Sequence, residues 1–353
     1  MKDEAAPSVL SRSARIAIII GGVVLAVAGA RYMSWLVAPS VLALVIVTLT
    51  FPVVRGLRAR GVPMWIATAV SLVTGYAMIL ALAAVVVFAG ARLTHVVVER
   101  RHDLSRLIAD AGNALVSVGF TTPQAHEFLE DITPTHLLRI AAAVVPSVVT
   151  FATTAVFFSG LLVFLGVEAT QAEVRLSGIR RTRARLGDAL DQWAVLTRRY
   201  FGVTAFFAMI VGGLDAAFLA LLDVPHPVLW GVLAAACNFI PYVGFVIGLV
   251  PPALIALLDG EPGTAVLIVV VYVVLNSLVT TLLPAKVVGD VVGLAMYATV
   301  VSLVFWGWVL GPLGSILAVP CTLLLRAVLI DADPHAAWIA PLINSGKRNR
   351  AEA

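Results

Sequence analysis

The strongest constraint on this chain is the distribution of its charges, which are almost absent from long stretches of the sequence. Eight apolar runs are separated by segments that hold nearly all of the Lys, Arg, Asp and Glu residues. A helix of about 20 apolar residues crosses the ~30 Å hydrocarbon core of a bilayer. Because 61% of the residues are hydrophobic and 12% are charged, against about 25% charged in soluble domains, a water-soluble fold would lack polar surface.

The pattern therefore predicts an all-α, polytopic helical membrane protein with about eight transmembrane segments. The apolar runs are residues 16–30, 33–54, 63–91, 140–167, 200–222, 225–258, 262–283 and 291–325. The first two runs are expected to form a helical hairpin.

The charged segments divide the chain into further units. We predict transmembrane helices 1–3 in residues 1–91, an extracytoplasmic helical insert in 92–139, transmembrane helix 4 in 140–167, a cytoplasmic Arg-rich amphipathic helix in 168–199, a C-terminal transport core in 200–330 and a cytoplasmic tail in 331–353. The apolar face of the Arg-rich helix is typical of a helix lying in the headgroup layer. A solvated helix packed on its own protein would show the same face.

The orientation follows from the Lys and Arg residues, which are more frequent on the cytoplasmic side of membrane proteins. With the N-terminus inside, the predicted inner segments hold 17 of the 24 Lys and Arg residues. Both termini are therefore predicted to be cytoplasmic, in a multi-pass protein of the bacterial inner membrane.

Two runs, 225–258 and 291–325, are about half as long again as one straight crossing requires. Each is interrupted near its middle, the first by Asn238 and Pro241 and the second by Gly311 and Pro312. Backbone groups freed by a break have no partner in lipid, so broken helices border protein or a wet cavity. The breaks therefore favour a transport pathway, although ordinary kinked helices are an alternative. Eight crossings and six crossings with two re-entrant hairpins both fit the sequence.

Polar residues inside the apolar runs are the candidate functional groups, because each carries an energetic cost in lipid. Asp215 is the one acid inside an apolar run, and it either binds an ion or reaches the outer interface. Asn238 either bonds the carbonyl that Pro241 frees or contacts a polar solute. Asn276 and Thr280 share a helix face and either line a groove or bond a neighbouring helix.

Several function classes have no support in the sequence. No catalytic motif, nucleotide-binding loop or dinucleotide fingerprint is present, so neither an enzyme nor a cofactor is predicted. The net charge of +4 is spread between the apolar runs, so no nucleic-acid surface is predicted either. Cys237 and Cys321 lie in apolar runs without a C-x-x-C spacing, which indicates small core residues and no metal site.

Five short segments carry a resemblance to a known family. They are AMIVG at 208–212, LDVP at 222–225, NFIPYVG at 238–244, PAKVVG at 284–289 and GPLGSILAVP at 311–320. In order and spacing, the chain resembles the autoinducer-2 exporter (AI-2E) family. Asp223 stands where glycine is usual in the second segment.

The resemblance implies an α-helical inner-membrane transporter and a homo-oligomer, for example a pentamer. Members are associated with export of autoinducer-2, and some with sodium/proton exchange. The expected function is therefore export of a small solute by alternating access, coupled to an ion. The alternatives are a sodium/proton antiporter and, from a different class, a non-transporting membrane scaffold. The expected partners are the lipid bilayer, the solute and further copies of the chain.

The expected substrate pathway is built from the broken segments and the polar residues near them, with Asp215 as the candidate ion site. Its residues are Asn238, Pro241, Tyr242, Gly244, Asn276, Thr280, Pro284, Gly311, Pro312 and Pro320.

Overall fold

The computed structural model describes residues 11–117, 183–241, 244–282 and 293–334, together with residues 121, 122, 139, 146, 178 and 336. The α-helices in these parts are α1 (Arg12–Tyr32), α2 (Ser34–Ala59), α3 (Met64–Glu99), α4 (Arg101–Ser117), α5 (Ala184–Leu221), α6 (Pro227–Cys237), α7 (Gly244–Leu258), α8 (Pro262–Asn276), α9 (Met296–Leu310) and α10 (Pro312–Arg326). One π-helical turn, Ser277–Leu282, follows α8, and another, Ala327–Asp331, follows α10. Residues 118–120 and 123–138 of the predicted insert, nearly all of the span at 140–167 and of residues 168–182, and most of the tail lie outside the described residues.

Five described helices are long and apolar enough to cross a bilayer. They are Ser34–Ala59, Met64–Glu99, Ala184–Leu221, Pro262–Val279 and Pro312–Asp331. Shorter apolar helices occupy Ala17–Tyr32, Pro227–Cys237, Gly244–Leu258 and Met296–Leu310. The prediction of an all-α polytopic membrane protein is confirmed.

Local sequence explains where several helices begin. Pro227, Pro262 and Pro312 each occupy the first position of a helix, where a proline has no hydrogen bond to lose. The turn between α5 and α6 places Asp223 at φ 54° and His226 at φ 58°. This left-handed region strains most residues and suits glycine, which accounts for the glycine usual in the family at the position of Asp223.

The first two helices do not form the packed hairpin that the sequence predicted. A single residue, Met33, separates α1 from α2, and helical hydrogen bonding continues through it. The Met33 N–H donates to the Gly29 carbonyl and the Val37 N–H donates to the Met33 carbonyl, both at 2.9 Å, so the chain does not fold back at this residue. α1 instead contacts α9, and the Arg31 guanidinium lies 4.0 Å from the centre of the Trp308 ring. Most of the apolar side chains of α1 are exposed.

Two helices cross boundaries that were drawn from the charges. α3 continues to Glu99, two turns past the predicted start of the insert at residue 92. α5 contains both the C-terminal part of the Arg-rich segment and the following span, so residues 184–199 are not a separate helix. No proline interrupts residues 184–221, and a change from charged to apolar residues does not end a helix. Trp193 and Ala189 on this part of α5 are buried against α10, which favours a helix packed on its own protein.

Helices α2 and α3 pack in antiparallel directions and α2 also contacts α5. The Ser71 hydroxyl donates to the Thr50 hydroxyl across 2.6 Å.

Within α2, Pro52 lacks the N–H that would bond the carbonyl of Thr48 four residues earlier. The Arg198 guanidinium of α5 donates to that carbonyl at 3.5 Å, so the proline-freed group has a partner from another helix.

The long run 225–258 folds back on itself as the first hairpin, made of α6 and α7. Gly244 packs directly on the carbonyl of Cys237, and Gly248 packs on Ala234. Residues later in α7 thus meet residues earlier in α6, which defines an antiparallel pair. A β-carbon at position 248 would lie 2.7 Å from the Ala234 α-carbon, so glycine permits this approach.

The run 291–325 forms the second hairpin, made of α9 and α10. The Trp306 indole donates to the Thr322 hydroxyl at 3.0 Å, and that hydroxyl bonds Ser302 at 2.8 Å. Gly314 packs on the carbonyl of Trp306 near the turn. Both long runs therefore fold back on themselves as helical hairpins.

The two hairpins lie in opposite directions along α5. α6 packs antiparallel to α5 through Gly231 against Gly212. The open end of the first hairpin, opposite its turn, therefore lies at the C-terminal end of α5. The second hairpin opens at the other end of α5, where the Trp193 indole donates to the carbonyl of Pro320 at 3.0 Å and Ala189 packs in the same cluster as Ala327.

Three apolar clusters hold these helices together. The largest joins α3, α5, α6, α7 and α8 around Trp230 and Tyr272, both of which are fully buried. A second joins α2, α9 and α10, and a third joins α5 to α10. Cys237 and Cys321 are buried free thiols in the first and second clusters, as the sequence predicted for core residues.

Candidate functional site

The first helix break lies between Cys237, the last residue of α6, and Gly244, the first of α7. Pro241 lacks the N–H that would bond the Cys237 carbonyl, but the backbone N–H of Ile240 donates to that carbonyl at 2.9 Å. The Asn238 amide nitrogen is buried and has no hydrogen-bond partner in the described chain, so a bond from this amide to the carbonyl, the first of the two alternatives, is not observed. Contact of Asn238 with a polar solute stays a prediction.

The second break is the single residue Gly311 between α9 and α10. Its backbone has φ 72° and ψ −157°, a conformation open to glycine and strained for other residues. Pro312 follows as the first residue of α10 and is exposed, whereas Pro320, inside α10, is buried. The turn reverses the chain within one residue.

The two hairpins meet at Phe201 of α5. Its ring stacks on Phe239 in the first break, with 6.2 Å between the ring centres. The same side chain packs against the cluster that the second hairpin forms with α2. Sequence reasoning did not select Phe201, because one aromatic residue in an apolar run carries no local signal of a long-range contact.

Asp215 lies inside the protein. Its exposed fraction is 0%, and neither carboxyl oxygen has a hydrogen-bond partner in the part of the chain that the structure describes. The close contact of Gly212 with Gly231 holds α6 against the same stretch of α5. The role of Asp215 as an ion site stays a prediction.

Tyr272 of α8 is another buried polar side chain, which sequence reasoning did not select. It is 0% exposed, and its hydroxyl oxygen has no hydrogen-bond partner among the described residues. It precedes the predicted pathway residue Asn276 by one helical turn. Asn276 is 5% exposed, and its amide donates to the Tyr272 carbonyl at 3.0 Å within the same helix.

The remaining predicted pathway residues are only partly described. Tyr242 and Pro284 lie outside the described residues, and for Thr280 the structure gives only the backbone, within the π-helical turn after α8. Pro241 is half-buried and Gly244 is buried at the first break. A π-helical turn is uncommon and often marks a functional position in a helix. Among the described residues, no group of His, Cys, Asp or Glu is arranged to hold a metal ion.

Long apolar helices, two broken helical hairpins of opposite direction and an unpaired buried carboxyl define a multi-pass membrane protein of the broken-helix kind. Over residues 17–332 the chain matches the AI-2E family transporter family, and it belongs to that family. The resemblance predicted from the short segments is confirmed. The family consists of transport proteins rather than enzymes.

Curated relatives cover most of the chain. It is 26% identical over 330 residues to the AI-2 transport protein TqsA of Escherichia coli strain K12, which spans 92% of this chain and 94% of that protein. It is 22% identical over 329 residues to a putative transport protein of Haemophilus influenzae, with the same coverage. The putative transport protein YhhT of Escherichia coli is 27% identical over 148 residues, or 42% of each chain.

Proposed function

We propose that this membrane transport protein exports a small solute such as autoinducer-2 by alternating access, with transport coupled to an ion. Membership of the AI-2E family and the similarity to TqsA, which is named for AI-2 transport, support the solute class. The scaffold alternative is disfavoured because the relatives are named as transport proteins.

The observation that carries the proposal is the meeting of two oppositely directed hairpins at Phe201. Each hairpin supplies a helix break, and backbone at a break within the membrane is tolerated where it borders protein or a wet route. Because the hairpins open toward opposite ends of α5, movement of one against α5 can expose the junction to one side at a time. Such relative motion is the usual basis of alternating access in broken-helix carriers.

The proposed pathway runs from the first break to the second. It includes the residues named from the sequence: Asn238, Pro241, Tyr242, Gly244, Asn276, Thr280, Pro284, Gly311, Pro312 and Pro320. To these we add Phe201. Asn238 is the residue expected to contact solute, because its amide nitrogen is buried and unbonded among the described residues.

We further propose an inner-membrane location with both termini in the cytoplasm, as the distribution of Lys and Arg indicates. A homo-oligomer, for example a pentamer, is also part of the proposal. The domain assignment of residues 92–139 to the extracytoplasmic side follows from the same orientation.

The test is solute flux into liposomes that contain the purified protein. Wild-type vesicles loaded with unlabelled autoinducer-2 should take up labelled autoinducer-2 by exchange. Replacing Asn238 with Ala removes one hydrogen bond to the solute, worth about 1 kcal/mol, and should lower the exchange rate about fivefold.

Asn113→Ala is the matched control, because Asn113 is the same residue type at an exposed position on α4. It should exchange at the wild-type rate. Exchange that is absent in wild type across a panel of small solutes would refute the transport proposal, and equal rates in the two variants would remove Asn238 from the pathway.

The second candidate function is a sodium/proton antiporter, and the buried Asp215 is the observation that favours it. The two functions differ in their need for an organic solute. An antiporter moves protons when a sodium gradient is applied to vesicles without solute, whereas the proposed exporter does not.

A further inference from the structure

We propose that Arg100 is a positioning residue, which holds the first hairpin to helices α3 and α4 through an ion pair with Asp259. The inference rests on the proposed transport function and specifies which hairpin stays fixed while the other one moves. Arg100 is the residue between α3 and α4, and Asp259 directly follows Leu258, the last residue of α7. The Arg100 guanidinium contacts the Asp259 carboxylate, so the pair joins elements that are 159 residues apart.

An apolar cluster holds the same elements together. Val97 of α3, Leu104 of α4 and Leu258 of α7 are 1%, 3% and 6% exposed and pack in one cluster. The chain passes from α3 into α4 without a loop, because the Arg100 N–H donates to the Val96 carbonyl and the Leu104 N–H donates to the Arg100 carbonyl, both at 3.0 Å. Helical hydrogen bonds on both sides therefore fix the backbone from which the guanidinium reaches the end of α7.

The ion pair and this cluster together form a clamp on the first hairpin. The side chains of Arg100 and Asp259 are 42% and 32% exposed, and an isolated pair at such exposure is weak because solvent screens it and two long side chains must be ordered. Here the cluster already orders both backbones, which lowers the entropic cost of the pair. The cluster therefore supplies most of the attraction, and the pair fixes the position of α7 against α3.

The other helix of the first hairpin is fixed to α5. A β-carbon at position 212 would lie 2.5 Å from the Gly231 carbonyl oxygen, so the backbones of α5 and α6 are in direct contact. α7 packs equally closely on α6, where a β-carbon at position 248 would lie 2.7 Å from the Ala234 α-carbon. α6 thus attaches the hairpin to α5, and the clamp attaches it to α3 and α4. This fixed unit carries Asn238, the residue expected to contact solute.

The second hairpin is held to α5 by side chains instead. The Trp193 indole donates to the Pro320 carbonyl at 3.0 Å, and an apolar cluster joins the same two helices. The close approach of Gly314 to Trp306 lies within this hairpin and keeps its own helices together. Packed helices can slide past one another in shear motions, which interlocked backbones oppose. The second hairpin is therefore the element that moves against α5, and the first is the fixed wall of the solute site.

The first experiment makes the clamp permanent. Purified Arg100→Cys/Asp259→Cys protein is treated with a bifunctional thiol reagent that has a short flexible spacer, and is then reconstituted in liposomes. Solute exchange should proceed at the rate of the same variant without reagent, because the first hairpin does not move against α3. The two native cysteines are buried, and each single variant treated with reagent is a control. A bridged protein that no longer exchanges solute would overturn the proposal.

The second experiment reverses the charges of the pair. Arg100→Asp and Asp259→Arg should each raise the KM of solute exchange up to about fivefold, with the maximal rate little changed, because the wall that carries Asn238 is held less firmly. The double variant restores opposite charges and should return KM toward the wild-type value. Arg106→Asp is the matched control, since Arg106 pairs with Asp103 within α4, and its KM should equal that of wild type. A lower Tm with unchanged KM in the single variants would refute the positioning role.

Amide hydrogen exchange of the purified protein distinguishes this proposal from the transport proposal. Residues 254–261, at the end of α7, should exchange faster in both single charge-reversal variants and at the wild-type rate in the double variant. If wild type carries no solute but this recovery is observed, the transport function is wrong and the clamp stands. If solute is carried and the double variant recovers neither protection nor KM, the clamp is wrong and the transporter stands.

Discussion

Adjacent glycines on α5 provide a sharp test of the packing around Asp215. A β-carbon at position 212 would lie 2.5 Å from the carbonyl oxygen of Gly231 and 2.7 Å from the β-carbon of Ala235. A β-carbon at position 213 would meet no atom within 4 Å. Non-bonded carbon atoms are separated by about 3.5–4.0 Å at their most favourable distance. Gly212→Ala therefore forces α5 and α6 apart by about 1 Å, whereas Gly213→Ala leaves the distance between the two helices unchanged.

The expected magnitudes follow from two opposing effects. Overfilling a close-packed contact costs about 1–3 kcal/mol, while replacing glycine by alanine in a helix contributes up to about 1 kcal/mol of stability. We expect Gly212→Ala to lower the free energy of unfolding by about 1–2 kcal/mol. We expect Gly213→Ala to raise it by up to about 1 kcal/mol. The difference isolates the helix contact, because the two variants lose the same residue type from the same helix.

The assay is thermal unfolding of both purified variants in one detergent, with the folded fraction followed by size-exclusion chromatography after heating. The Tm of Gly212→Ala should be lower than that of wild type, and the Tm of Gly213→Ala should equal or exceed it. Two equal shifts in Tm would refute the reasoning, since they would show that the Gly212–Gly231 contact contributes nothing specific to stability.

Three further predictions concern backbone geometry. Gly311→Ala should lower the free energy of unfolding by about 1–3 kcal/mol, because alanine is strained at positive φ, and it should slow solute exchange. An unchanged Tm would show that position 311 does not need a positive φ. Asp223→Gly should raise the stability by up to about 1 kcal/mol, as measured by Tm, because left-handed backbone costs an L residue about 1–2 kcal/mol and the freer unfolded glycine chain offsets about 0.4–1 kcal/mol of the gain. Arg198→Gln should cost about 1 kcal/mol in wild type and almost nothing in Pro52→Ala, where the Thr48 carbonyl regains a helical donor; additive costs in this double-mutant cycle would exclude the interaction.

Sequence reasoning located the helix breaks because proline and glycine act locally. Pro241 and Gly311 change the backbone wherever they occur, so the interruptions at residues 238–243 and at 311 were predictable. The direction of the chain after each break was not, because it depends on close approaches such as Gly244 on Cys237 that join separate helices.

Charge patterns did not predict the helix boundaries. The sequence changes from charged to apolar residues near position 200, but helical hydrogen bonds continue across this point in α5. Of the amphipathic helix predicted at residues 168–199, the described part, residues 184–199, is therefore the beginning of α5 rather than the end of a separate helix.

In the candidate site, too, one feature was predictable from the sequence and another was not. Asp215 was identifiable because an acid in an apolar run is costly wherever it lies. The contact of Phe201 with Phe239 depends on segments that are distant in sequence and packed in three dimensions. No spacing or motif marks this pair in the sequence.

The placement of the two cysteines offers a native readout of hairpin motion. Cys237 ends α6 in the first hairpin, and Cys321 lies in α10 of the second, with both thiols buried. A thiol-specific alkylating reagent should therefore react slowly with the resting protein and faster with whichever hairpin separates from its neighbours during turnover. Mass spectrometry of the two cysteine-containing peptides would then report which half of the machinery moves, without introducing any label by mutation.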